Sequence, residues 1–189
     1  MNKNSLLSIA NFFCQFFKFL IGILMLLMTV FFIHFQIDRD FYNEWEFEQK
    51  KIQSLILIET ETNVYPKAGN DAKLYFSNLN TGSLYFNYFK FSAIIILLYL
   101  SITEFRTVLR SVRKLETFHQ TNVIAFKKIG SYCFLIFGLS IFSYWGFDED
   151  AKSSISIHLY ILLISLIVFI LAEIFKEGNN LMEENQLTI

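Results

Sequence analysis

Four long apolar stretches, Phe16–Phe35, Phe86–Thr103, Gly130–Phe147 and Ile155–Phe175, constrain this chain more than any other feature. Each is about long enough to cross a hydrocarbon core of roughly 30 Å as a helix. Together they take close to half of the 189 residues. A soluble enzyme of this length is thereby excluded, because lipid must stand in for water around most of the outer surface. The 54% hydrophobic content and 23 Phe agree with that reading, and the net charge of −1 leaves no global footprint for nucleic acid.

Orientation follows from where Lys and Arg gather in the short connections. The 105–128 loop between the second and third stretches holds Arg106, Arg110, Arg113, Lys114, Lys127 and Lys128, with Glu116 as its one acid. Lys3 and Lys18 lie at the start, whereas the connection after the third stretch reads Asp148-Glu149-Asp150-Ala151-Lys152. Both termini and the 105–128 loop are therefore expected in the cytoplasm, and the 36–85 and 148–154 loops outside. No small-residue cleavage site follows Phe35, so the first stretch is expected to be retained as an anchor. Tyr85, Tyr88, Tyr144 and Trp145 fall where an aromatic belt belongs.

The outer loop of about fifty residues is too long for a plain linker. Asp40–Lys51 is expected to continue the first helix, and Ser54–Thr62 has the β-branched alternation of a strand. Lys73-Leu-Tyr-Phe-Ser77 and Ser83-Leu-Tyr-Phe-Asn87 are near copies around a Gly-containing turn, which predicts a β-hairpin. In the inner loop, Phe105, Val108, Leu109, Val112, Leu115 and Phe118 recur every three or four residues, with Arg106, Arg110 and Arg113 opposite them. That spacing predicts an amphipathic helix continuing the second span, and Thr121 or Asn122 offers a cap for the next one.

Little in the chain suggests chemistry. His34, His119 and His158 share no ligand spacing, and Cys14 and Cys133 are expected to be free, buried thiols. Lys18, Lys90, Glu104 and Glu173 all lie within a turn or two of a span end, so no proton or ion relay is expected at mid-depth. No phosphate loop, nucleophile elbow or zinc-helix motif occurs. The expectation is a protein without enzymatic activity, cofactor or metal.

Two inner segments carry a resemblance. Leu171-Ala-Glu-Ile-Phe-Lys-Glu-Gly178 followed by Leu181-Met-Glu-Glu-Asn-Gln-Leu-Thr-Ile189 is similar to the end of a bacterial four-span family, domain of unknown function 2975. The features shared fall on Ala172, Glu173, Phe175, Gly178, Leu181, Glu183, Glu184, Leu187 and Thr188. A second set comprises Phe118, Asn122, Val123, Lys128, Ile129 and Gly130; the family commonly has proline before the phenylalanine, where this chain has Thr117. The resemblance implies no activity or cofactor. It implies a neighbour, since members are often encoded beside a very small helix-turn-helix regulator.

Gly178 suits a helix end or turn, and Glu183 and Glu184 are placed to face Arg110, Arg113 or Lys114 of the inner loop. The resulting expectation is an all-α membrane protein of the bacterial inner membrane. It is a four-transmembrane-helix bundle with spans at about 16–35, 86–104, 130–147 and 155–175 and a small extracytoplasmic β-containing loop. Its function is expected to be regulation or scaffolding, with a small cytoplasmic DNA-binding regulator held by Arg106, Arg110, Arg113, Lys114, Phe118, Asn122, Gly178, Leu181, Glu183, Glu184, Leu187 and Thr188. The other partners expected are the lipid bilayer and further copies of the chain, with no direct nucleic-acid contact. The alternatives are an oligomeric transporter of small solutes or peptides and an envelope-stress or immunity protein.

Overall fold

The computed structural model describes residues 3–46, 56–63, 75–147 and 151–187. Four helices run through it: α1 (Lys3–Ile37), α2 (Thr81–Arg113), α3 (Gln120–Ile141) and α4 (Leu159–Leu187). All four are long and apolar enough to cross a membrane. Proline, the residue that most readily breaks a helix, occurs once, at Pro66, outside all of them. Phe12 and Phe19 on α1 are each 68% exposed, one sign of the apolar surface that lipid would cover. The chain is a multi-pass membrane protein, mostly helical, with one small sheet.

That sheet has three strands, β1 (Ile56–Asn63), β2 (Phe142–Gly146) and β3 (Ala151–His158), antiparallel in the order β1-β3-β2. Thr60 faces Ile155 on one side of the central strand and Phe142 faces it on the other. The strand expected at Ser54–Thr62 is thus present as β1, but its partners are new. Apolarity alone predicts helix through Phe147 in the third run and from Ile155 in the fourth; their facing ends instead pair as β2 and β3. Aromatic and β-branched residues such as Phe142, Tyr144, Trp145, Ile155 and Ile157 suit a strand as well as a lipid-facing helix, and pairing decides between the two.

The hairpin expected at Lys73–Asn87 is overturned. Tyr75 makes an isolated bridge to Glu46, Phe76–Asn78 is one 3-10 turn, and Ser83–Asn87 belongs to α2. Asn80 caps that helix, its Oδ1 accepting the Gly82 N–H at 3.0 Å. Residues 71–74, the first copy's Lys73 and Leu74 among them, lie outside the described residues. Nor does α1 continue past Ile37: Asp40–Tyr42 is a 3-10 turn, and residues 47–51 lie outside the described residues.

The residues group into two compact units. One comprises residues 1–22, 95–136 and 160–189, and its core gathers Val108, Ala125, Phe126, Ile129 and Ala172. The other comprises 23–94 and 137–159. Its core is Phe35, Tyr42, Leu79, Leu84 and Phe147, with Phe32, Phe76 and Trp145 packed around it. Tyr42 is buried there, its hydroxyl 2.9 Å from His34 Nδ1; burial, then the Asp38 carboxylate, pushes its phenol above the ordinary range.

In this second unit a polar row on α2 covers the free edge of β2. Ser83 Oγ accepts the Gly146 N–H at 3.0 Å, Asn87 Nδ2 donates to Tyr144 O at 2.8 Å, and Lys90 Nζ donates to Phe142 O at 2.5 Å. The Asn80 N–H donates to Gly146 O at 2.8 Å. Helical steps of three and four residues on α2 thereby meet two-residue steps on the strand. This satisfies an edge that would otherwise leave backbone groups unpaired beside lipid.

Candidate functional site

The turn joining α2 to α3 is built around one buried side chain. Asn122 is 0% exposed, and its Nδ2 donates to Thr117 O at 2.7 Å, Ser111 Oγ at 2.9 Å and Glu116 O at 3.1 Å. The Ser111 hydroxyl in turn donates to Glu116 O at 2.6 Å. Loop carbonyls that would go unpaired after a helix ends are thus collected by two side chains. The amphipathic helix expected to reach Phe118 stops at Arg113, and Leu115 takes a φ of 66°, the left-handed conformation that reverses a chain after a helix. Neither Thr121 nor Asn122 caps α3 as expected, since both lie inside it. The helix begins at Gln120, and His119 caps it, its Nδ1 accepting the Thr121 N–H at 3.3 Å.

Phe118 leaves this turn and lies against α4. A Cβ on Gly178 would meet Phe118 Cδ1 and stand 2.7 Å from its Cε1 and 2.9 Å from its Cγ. The Phe118 and Phe175 ring centroids are 5.5 Å apart, and those of Phe126 and Phe175 4.8 Å. Gly178 is therefore inside α4 rather than at a helix end, and its role is close approach. One step along, Gly130 receives the Phe169 ring, 2.9 Å from where a Cβ would sit, and its carbonyl accepts the Ser165 hydroxyl at 2.9 Å. Two glycine–phenylalanine contacts thus join α4 to α3 and its preceding turn.

The basic residues divide into two groups. Arg106 Nε donates to Asn11 Oδ1 at 2.8 Å and its Nη2 to Gln15 Oε1 at 3.1 Å, tying α2 to α1. Lys128 pairs with Glu104 at 2.9 Å and Lys176 with Glu173 at 2.6 Å. Arg110, Arg113 and Lys114, by contrast, make no ion pair among the described residues. They line an open cleft of about 640 Å³ with Thr107, Ser111, Glu116, His119 and Thr121. Arg110 and Arg113 also sit in the last turn of α2, where the helix dipole favours cations.

Glu183 accepts from Asn179 Nδ2 at 2.6 Å along its own helix, which corrects its expected pairing with the inner loop. Leu181, Glu183 and Glu184 are exposed near the end of α4, Leu187 is the last helical residue, and Thr188 lies outside the described residues. Sequence reasoning missed Thr107, Ser111, Glu116, His119 and Thr121 as cleft walls. The available signal was the polar stretch His119-Gln120-Thr121-Asn122 together with Thr107 and Ser111 at a four-residue spacing on α2.

Because Arg106 spends its donors on neutral acceptors, changing it to Gln is expected to cost only about 1 kcal/mol. A thermal-unfolding shift in detergent measures this, and a loss several times larger would give Arg106 a charged partner instead.

No curated protein and no solved structure matches the chain. A family model does match: residues 65–189, about two thirds of the sequence, fit the one described as Protein of unknown function (DUF2975). The matched stretch contains α2, α3 and α4 whole, and with them Asn122, both glycine–phenylalanine contacts and the cleft. On that ground the chain belongs to the DUF2975 family.

Proposed function

We propose that this protein is a non-enzymatic regulator or scaffold of the bacterial inner membrane, with both termini in the cytoplasm. Its α2–α3 turn docks an acidic face of a small cytoplasmic regulator of the helix-turn-helix type. The observation that carries the reading is the set of three cations that make no ion pair among the described residues, Arg110, Arg113 and Lys114, on a turn held by the Asn122 clamp. In the same unit Lys128 and Lys176 are paired with carboxylates, Arg106 is bonded to amides and Lys18 lies over the Tyr99 ring; these three gather in one cleft. A fixed backbone beneath them lowers the ordering cost of binding. Exposed Leu181 and Met182 near the end of α4 supply apolar surface for a tail contact.

Purified helix-turn-helix regulator, titrated against the full chain in lipid nanodiscs, tests this. Changing Arg110, Arg113 and Lys114 together to Gln is expected to weaken binding on the order of tenfold to a hundredfold. Raising the salt concentration from about 0.05 M to about 0.3 M should weaken binding by wild type and leave the triple variant nearly unchanged. Equal affinity of the two proteins, with the same salt response, would refute docking at the turn.

A further inference from the structure

The second compact unit has an open groove of about 450 Å³ between α2 and α3, lined by Phe86, Phe89, Lys90, Ala93, Gly138 and Phe142 among others. Its walls are apolar and face outward: Phe89 is 64% exposed and Phe142 45%. A Cβ placed on Gly138 would meet nothing within 4 Å, so the groove stays open beside that residue. Lys90 is the one charge lining it, and only 9% of that residue is exposed.

Lys90 is short of a counter-charge. Its Nζ donates to Phe142 O and Ser143 Oγ, both neutral, and it forms no ion pair among the described residues. Two of the three ammonium N–H groups are used in this way, and a further neighbour among the described residues, the Phe91 ring with its centroid 5.7 Å from Nζ, is also uncharged. The uncharged run Phe91–Thr103 that follows has thirteen residues, about 20 Å of helix, against a hydrocarbon core of roughly 30 Å. Shared between Lys90 and Glu104 at its two ends, that shortfall sets Lys90 about 5 Å inside one edge of the apolar layer, below the lipid phosphates but within a side chain's reach of them. A cation withdrawn from water at that depth is costly unless an anion joins it.

We propose that this groove holds one anionic phospholipid of the surrounding bilayer. A phosphate oxygen accepts the remaining Lys90 N–H, and an acyl chain lies along Phe86, Phe89, Ala93 and Gly138. Charge complementarity selects the headgroup and the apolar walls take the chain. The site is independent of the proposed docking turn.

Native mass spectrometry of the full chain, released from nanodiscs of equal parts phosphatidylglycerol and phosphatidylcholine, tests the proposal. Wild type is expected to retain one phosphatidylglycerol in about fivefold preference over phosphatidylcholine. Lys90→Gln should bring the ratio to about one. Since that change also removes a bond to β2, Gly138→Leu provides the second arm; it fills the groove, leaves the Lys90 bonds in place and should abolish retention of both lipids. Retention without headgroup preference in wild type, or undiminished retention by Gly138→Leu, would overturn the site. So would a lipid-free dimer that Gly138→Leu converts to monomer, which would make a second copy the occupant.

Discussion

Asn122→Leu is expected to lower the stability of the protein by about 3 kcal/mol, the largest loss from any single change in the α2–α3 turn. The replacement is similar in size and more apolar, so bulk alone would favour it. What it removes is the one Nδ2 that serves Thr117 O, Ser111 Oγ and Glu116 O. Ser111 still reaches Glu116 O, which softens the loss at that carbonyl, but Thr117 O keeps no substitute donor from this side chain. Each unmet buried acceptor costs about 1–3 kcal/mol, more than the added methyl groups return. Thermal unfolding in detergent gives the size of the effect. Proteolysis after Arg113 or Lys114 should speed up in parallel, because both flank the loosened turn. An unfolding midpoint within a degree of wild type would show that the three bonds contribute nothing.

The second large effect is expected at Gly178. Leucine there gains about 1 kcal/mol of helix propensity, yet its Cβ enters the space of the Phe118 ring. Overpacking of that kind costs about 1–3 kcal/mol, and a leucine side chain puts it at the upper end. The net loss should be about 2 kcal/mol. Phe118→Ala separates this clash from any other defect. In the Phe118→Ala background, Gly178→Leu should be neutral or stabilising, so that a double-mutant cycle returns a coupling of about 2 kcal/mol. Additive losses would mean that the glycine is needed for some reason other than the ring.

These two residues show how far the sequence carried and where it stopped. The four spans were legible because length and apolarity alone define a membrane helix. One strand, Ile56–Asn63, announced itself by β-branched alternation. The other two were hidden inside apolar runs, where composition cannot separate a lipid-facing helix from a paired aromatic strand. The repeated text at Lys73 and Ser83 misled because Ser83, Asn87 and Lys90 are polar for a different reason: they sit at helical spacing and bond to the edge of β2. Spacing i, i+4, i+7 in an otherwise apolar run was the signal available.

Among the candidate site residues, the resemblance and the charges point to different things. Phe118, Asn122 and Gly178 come together as internal packing, and Arg106 is engaged with α1. Arg110, Arg113 and Lys114 share the cleft. Similarity at a few positions cannot separate residues that build a turn from residues that use it; buried area and bonding partners can.

The most direct test of the docking reading places a photo-crosslinking phenylalanine analogue at Thr121, an exposed wall of the cleft. Illumination of native membranes should then yield one adduct, with the helix-turn-helix regulator, that disappears when Arg110, Arg113 and Lys114 are all Gln. An adduct of undiminished yield in the triple variant would contradict the reading, as would crosslinking to lipid alone while the regulator is present.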